Sequence, residues 1–453
     1  MPVISNPRGR LFLVLLALFA IRILYAHFLG WHSIPPTSDA HSYNGYALAI
    51  LGRPDWLTHP GFPGDFRPPV YPLFIALIYR IFGEGNLFAV FCAQSLISTL
   101  TVYYIYRLSA AFFGERKSFL VLIWAGIYYF YLFYVGMLLR ETLIYFLIVV
   151  QFYHLKRFLD TRRERPAYSS VHLWVSVISF VLLIHTDARY LFYVPCLVIL
   201  FVLFRGFRAG IRDYVVTAGL VVVLMIPWLI RNYVAYGGVV VVNTRTLDLT
   251  SSEGSMRLEL LSTKRLTEVK KDPHWRANRN YPTEQERAAI KSGENPRGRP
   301  AYELRMIRKD EYPASSFIGR KLFYTLEMWR PFRFGYSYSP FPSATIVPPW
   351  SMKHNVASIL FYGTLLPFAA FAVARMLHDR RKGVWFLLFP IVVQGVMHLL
   401  TFGLERYRTH IDAFLLILGC YGIVELAGRL RSRAHGDLPR RDAPAGAGPA
   451  GSA

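Results

Sequence analysis

Ionisable residues beside long apolar runs are costly and therefore informative. In this chain they gather at one set of ends of those runs. The acidic ones are Asp39, Glu141 and Asp187, with Asp65 in the same first loop as Asp39. The basic ones are Arg67, Arg140, Arg189, Arg231, Arg406 and Arg408. A carboxylate in such a place suits a general base working on a hydroxyl, and the planar fork of an arginine suits a phosphate. Arg67 ranks first among the phosphate candidates, because the prolines of DFRPPVYP fix the backbone behind its guanidinium. Arg189, Arg406 and Arg408 follow it, and His41, Tyr43, Arg140 and Asp187 are candidates for the substrate side.

Each residue also has a plainer reading. Asp39 can simply favour the dipole of the helix it opens, Arg140 and Glu141 can be a surface pair at a turn, and arginines near a membrane snorkel to lipid head groups. Two carboxylates at helix ends on one side are more specific than either alone. His41 and His185 stand near carboxylates, but no H-x-x-H or comparable spacing accompanies them. A divalent metal, and any cofactor, is therefore left open. The chain has no P-loop, G-x-S-x-G elbow or dinucleotide fingerprint, which argues against a nucleotide-driven pump.

The elements that must position these groups are apolar helices. Over 453 residues, 54% are hydrophobic and mean hydropathy is +0.31, with apolar runs along most of the length, so the pattern is that of a polytopic helical membrane protein. The net charge of +23 lies mainly in short loops between the runs. That is an orientation signal rather than a nucleic-acid surface. Cys92, Cys196 and Cys420 all lie in apolar stretches, so no disulfide framework or cysteine metal site follows.

The first run, Leu11 to Gly30, reads as a retained span with its N-terminus inside. In SDAHSYNGYALAILG, Ser38 is the expected N-cap, and Gly52 with Pro54 is the stop. Tyr43, Tyr46, Ala47 and Ile50 then share a face, so this helix lies along the interface. Leu73 to Phe82 is a second short helix, and its ten residues cover about 15 Å, half of a hydrocarbon core of roughly 30 Å. If it spanned, Arg107, Arg116 and Lys117 would face outward with every later basic loop inverted, so the positive-inside rule also puts it in the interface.

The remaining spans are then expected at 87–108, 118–137, 138–158, 171–186, 190–204, 213–232, 354–376, 384–403 and 411–428. The sequence thus predicts about 10 transmembrane helices with both termini cytoplasmic. The expected parts are a transmembrane module 1–233 carrying the first outer loop 31–86, an outer loop or lid 234–350, a three-helix segment 351–428 and a basic, disordered tail 429–453. Helical patterns are expected in the lid around 283–292 and 301–311. Its basic balance favours an anionic acceptor or membrane.

Taken together, these stretches resemble the GT-C glycosyltransferases, in particular the protein O-mannosyltransferase and aminoarabinose-transferase branch (glycosyltransferase family 39). The residues that carry the likeness are Asp39 with the interfacial helix after it, RPPVYPLFIALIYRIFG, and LLRETLIYFL. PWLIRN, MWRPF and RYR are later echoes. The resemblance implies transfer of a sugar, with inversion, from a polyprenyl-phosphate carrier to an extracytoplasmic acceptor. It implies that Asp39 is the general base, that Glu141 is the second acidic residue and that Arg67 stands where relatives use a lysine on the carrier phosphate. Phe66 occupies the place of their metal-binding glutamate, which puts a metal site in doubt. Expected partners are the donor, a lipid, glycan or protein acceptor, and membrane lipids, with an inner-membrane location. The rival readings are a glycan polymerase or ligase that moves a whole oligosaccharide, and a non-enzymatic lipid or glycan transporter.

Overall fold

A computed structural model of the chain describes residues 7–34, 39–58, 67–161, 170–236, 239–243, 352–400 and 405–434, with short pieces between 248 and 331. Ser38, Asp65 and Phe66, the helix expected at 301–311, most of 283–292 and the tail beyond 434 lie outside the described residues.

The described residues are helical apart from connecting turns and one two-residue antiparallel pairing, Asp248–Leu249 with Met256–Arg257. The helices are α1 (Pro7–Leu29), α2 (Asp39–Gly52), α3 (Val70–Phe82), α4 (Leu87–Phe113), α5 (Glu115–Ile127), α6 (Tyr129–Phe133), α7 (Glu141–Asp160) and α8 (Val171–Ile184). There follow α9 (Tyr193–Arg205), α10 (Phe207–Tyr236), α11 (Met352–Ser358), α12 (Leu365–His378), α13 (Gly383–Leu400), α14 (Glu405–Arg408) and α15 (Asp412–Ala434).

Seven helices among the described residues are long and apolar enough to cross a membrane, or eight if the α5–α6 pair, bent by 47°, is one span. The sequence predicts ten. The difference lies in Val171–Ile184 and Gly383–Leu399, which are shorter apolar helices like Val70–Phe82. Helix α3 is 13 residues long and begins three residues before the expected start, since Pro72 is tolerated in a first turn where the backbone N–H is unused.

Helix α7 is the central element, with nearly every residue from Glu141 to Leu159 buried. Helix α1 is the opposite case, with Phe12, Leu16, Leu24 and Phe28 exposed, as on a lipid-facing helix. Its one inward charge is Arg22, which donates to Ser98 Oγ of α4 at 2.9 Å and to the Leu18 and Gly126 carbonyls at 3.1 Å. A buried guanidinium is tolerated because these acceptors replace water.

Residues 134–140, between α6 and α7, are a 3-10 turn (Tyr134–Gly136) followed by bends, all buried, which in an apolar setting demands partners for the free carbonyls. Gln94 of α4 supplies them: its Nε2 donates to the carbonyls of Val135 at 2.9 Å and Met137 at 2.8 Å. Its Oε1 accepts from Tyr71 of α3 at 2.8 Å. On the other flank Trp31 N donates to Gly136 O at 2.8 Å, and a Cβ on Gly136 would stand 2.7 Å from Gly30 Cα. One side chain and one glycine contact thus fix how α7 starts, and so where Glu141 sits.

Candidate functional site

The loop before α3, the starts of α2 and α7, the turn between α8 and α9, and α14 bring four arginines and three carboxylates together. Asp39, in the first turn of α2, accepts from Arg67 Nη2 through Oδ1, and from Arg406 Nη2 through Oδ2 at 2.9 Å. Arg406 reaches on to Glu141, with Nε 3.2 Å from Oε1. Glu141 is only 1% exposed, and neither of its carboxylate oxygens has a well-formed hydrogen bond. Arg140, one residue earlier, turns the other way. Its Nη2 is 3.0 Å from Asp187 Oδ2 and its Nη1 donates to Thr186 O at 3.1 Å. Asp187 caps the short turn Ala188–Phe192 by accepting from Arg189 N at 3.1 Å. It also takes the Arg189 fork, from Nε to Oδ1 at 2.9 Å and from Nη2 to Oδ2.

Aromatic rings join the two halves. Tyr407 lies under Arg189, whose Cζ is 3.8 Å from the ring centroid, is 5.3 Å from Arg406 Cζ, and stacks in parallel on His398. Tyr43 lies 5.0 Å from Arg67 Cζ and meets Tyr71 edge-on at 4.9 Å. Val70 N donates to His185 O at 3.0 Å, which ties the start of α3 to the segment carrying Asp187.

The electrostatics follow from this geometry. Burial acts to raise the pKa of Asp39, but the Arg67 and Arg406 guanidiniums outweigh it and hold the carboxyl well below the usual range. Asp187 behaves the same way, with burial opposed by Arg140 and Arg189. For Arg67 and Arg140, burial acts to lower the pKa; the carboxylates beside them, Asp39 and Asp187 foremost, win and raise it. Four guanidiniums against three carboxylates leave one positive charge for an anionic ligand. Among the described residues no group of three or more His, Cys, Asp or Glu side chains is placed to hold a metal ion.

Eight of the ten expected site residues meet here: Asp39, Tyr43, Arg67, Arg140, Glu141, Asp187, Arg189 and Arg406. The other two sit elsewhere for one shared reason. Residues two apart on a helix diverge by about 200°, so Arg408 points away from Arg406, and His41 from Asp39. Arg408 is 0% exposed, with Nε 3.3 Å from Asp412 Oδ1 and its guanidinium on the Tyr362 ring at 3.5 Å, while Tyr128 donates to the other Asp412 oxygen. The structure thus places Arg408 in a buried ion pair, apart from the cluster around Asp39. His41 lies on the exposed side of α2. His185 is buried, with its Nδ1 2.8 Å from Val181 O of its own helix. Sequence reasoning passed over Gln94, whose one available signal is an amide inside LFAVFCAQSLIS, and gave Tyr407 no role.

The fold is shared with known enzymes. The chain superposes on the archaeal oligosaccharyltransferase AglB from Archaeoglobus fulgidus, in complex with an inhibitory peptide and a dolichol-phosphate. The TM-score is 0.53 at 12% identity, over 95% of this chain and 52% of that one. The Archaeoglobus fulgidus oligosaccharyltransferase in complex with Zn and sulfate gives 0.52 at 13% identity, over 93% and 50%. The chain therefore spans about half the length of these structures, and the likeness is one of fold alone. Residues 66–230, from the loop before α3 into α10, match the family model described as dolichyl-phosphate-mannose-protein mannosyltransferase. Arg67, Arg140, Glu141, Asp187 and Arg189 fall inside that match, whereas Asp39, Tyr43 and Arg406 join the site through the fold. No curated protein matches the chain in sequence.

Proposed function

We propose that the chain transfers a sugar from a polyprenyl-phosphate carrier to a hydroxyl acceptor on the extracytoplasmic face, with inversion at the anomeric carbon. The observation that carries this reading is the Asp39 carboxylate held between Arg67 and Arg406, which come from the first loop and from just before the last helix. A carboxylate in that setting occupies the place of an anion. The phosphodiester of a lipid-linked sugar, with its single negative charge, matches the one positive charge left by the cluster. As it binds, Arg67 and Arg406 exchange Asp39 for phosphate oxygens, and Asp39 becomes free to accept a proton.

In the transfer step the acceptor oxygen attacks the anomeric carbon, its proton passes to Asp39, and the bond from that carbon to the phosphate oxygen breaks. The electron pair leaves with the polyprenyl phosphate, which gains a second negative charge on departure. Guanidiniums already in place stabilise that charge with little reorganisation, and a positioned base contributes about 10²–10⁴ in rate. Glu141, paired with Arg406, holds that arginine toward the donor; Arg140 and Arg189 around Asp187 form the far wall. The carrier stores the activation, so no nucleotide is needed at the site. The fuller topology belongs to the same proposal: ten spans with both termini inside.

The test is sugar transfer by the purified protein from polyprenyl-phosphate-linked sugars, comparing wild type with Asp39→Asn and Glu141→Gln. Loss of transfer in both variants is expected. Undiminished transfer in both would end this reading.

A further inference from the structure

Tyr43 is the tyrosine of this cluster whose hydroxyl finds no partner among the described residues. It sits four residues after Asp39, one turn along the same face of α2, and is 1% exposed. Its ring is clamped between the Arg67 guanidinium at 5.0 Å and Tyr71, and Tyr71 is itself pinned by Gln94. Its hydroxyl has no hydrogen-bond partner among the described residues. By contrast Tyr71, Tyr79, Tyr128, Tyr145, Tyr190 and Tyr193, all buried, each have one. An unpaired buried hydroxyl is a cost that a phenylalanine of the same shape would avoid. Placing that cost against a proposed phosphate-binding arginine is understandable if a ligand takes the hydrogen bond.

Resting on the function proposed above, we infer that Tyr43 is a substrate-contacting residue whose hydroxyl donates a hydrogen bond to a non-bridging phosphate oxygen of the lipid-linked donor, beside Arg67. The hydroxyl is suited to donate rather than accept. Burial raises its pKa, outweighing the opposing pull of Arg140 and Arg67, so the phenol keeps its proton. A phosphate held by Arg67 lies within reach of the ring edge, and it carries acceptors only. The contact adds a neutral donor to a site otherwise built from charges. It gains strength when negative charge grows on the departing phosphate, because hydrogen bonds to charged acceptors are the stronger kind.

The experiment compares wild type with Tyr43→Phe in detergent, by thermal unfolding and by titration with a short-chain polyprenyl phosphate that carries no sugar. Tyr43→Phe is expected to unfold at or above the wild-type temperature without ligand, since it removes an unpaired buried group. It is expected to bind the polyprenyl phosphate roughly ten- to a hundredfold more weakly, the equivalent of one hydrogen bond to a charged group. Equal affinity in the two proteins overturns the inference. So does an affinity lost only for the sugar-bearing lipid, which would move the contact to the sugar, or a lower unfolding temperature with unchanged affinity, which would make the hydroxyl structural. Because the probe has no sugar to transfer, this readout stands apart from the transfer assay. Absence of transfer by wild type would count against the proposed reaction alone.

Discussion

At the residue scale, the two arginines of RYR separate the roles a guanidinium can play here. Arg406 and Arg67 meet a partly exposed carboxylate at the mouth of the site, whereas Arg408 is sealed against Asp412, Tyr128 and Tyr362. Removing one partner of a buried pair leaves a bare charge and costs about 3–5 kcal/mol. Arg408→Ala should therefore lower the unfolding temperature strongly while any surviving protein keeps its donor KM. Arg67→Ala should raise donor KM with a small change in stability. Thermal unfolding and donor titration on both variants decide it; a raised KM in a stable Arg408→Ala protein would put that residue back in the site. That Asp39, Glu141 and Arg67 lie on one side was legible in the sequence, because charge beside an apolar run is costly and marks the ends of the runs. The separation of Arg408 from Arg406 was not legible, because closeness in the sequence hides which side of a helix a residue faces. Gln94 and Tyr407 were hidden by type, since a neutral polar or aromatic residue within a membrane run usually packs without further consequence.

At the scale of elements, the site depends on the non-α segment 134–140, which lets α7 begin at Glu141. Gln94 satisfies two of its carbonyls and the Tyr71 hydroxyl at once. Gln94→Leu leaves these groups unpaired, at about 1–3 kcal/mol each. The variant should unfold earlier and lose transfer although it touches neither substrate, and a protein with unchanged unfolding and activity would show that the segment is held by something else. The short helices α2 and α3 were readable from their prolines and from length, since thirteen residues cannot cross a bilayer upright. The bounds of the helices were less readable. Hydropathy marks apolar runs, but it does not reveal that 171–186 folds as a 14-residue helix ended at Ile184, with the turn bearing Asp187 beyond it. Nor does it show the bend between α5 and α6.

At the scale of the whole molecule, the charged cluster joins distant parts of the chain, from Asp39 to Arg406, and so links folding to protonation. Asp39 and Asp187 have lower pKa values folded than unfolded, so the unfolded chain binds more protons once pH falls into the carboxylate range. Their contribution to stability is thus full above that range, about pH 4, and is lost as pH falls below it. The unfolding temperature should drop on acidification below about pH 4, with a shallower drop in Asp187→Asn; identical slopes in the variant and wild type would contradict the assignment. The fold class was legible from composition because a chain this apolar has only helices or barrels with which to cross a membrane, and its runs have the helical length. The convergence of α2, α7, α9 and α14 at one end was not, because which helix ends meet is set by packing between elements far apart in sequence.

The central claim is that Asp39 and the donor phosphate compete for the same two arginines. Its most direct test is the affinity of Asp39→Asn for polyprenyl phosphate, measured on the same preparation used for transfer. The account predicts that Asp39→Asn binds the lipid phosphate more tightly than wild type, because the competing charge is gone, while transfer falls by about 10²–10⁴. Unchanged or weaker binding, or transfer at the wild-type rate, would contradict it.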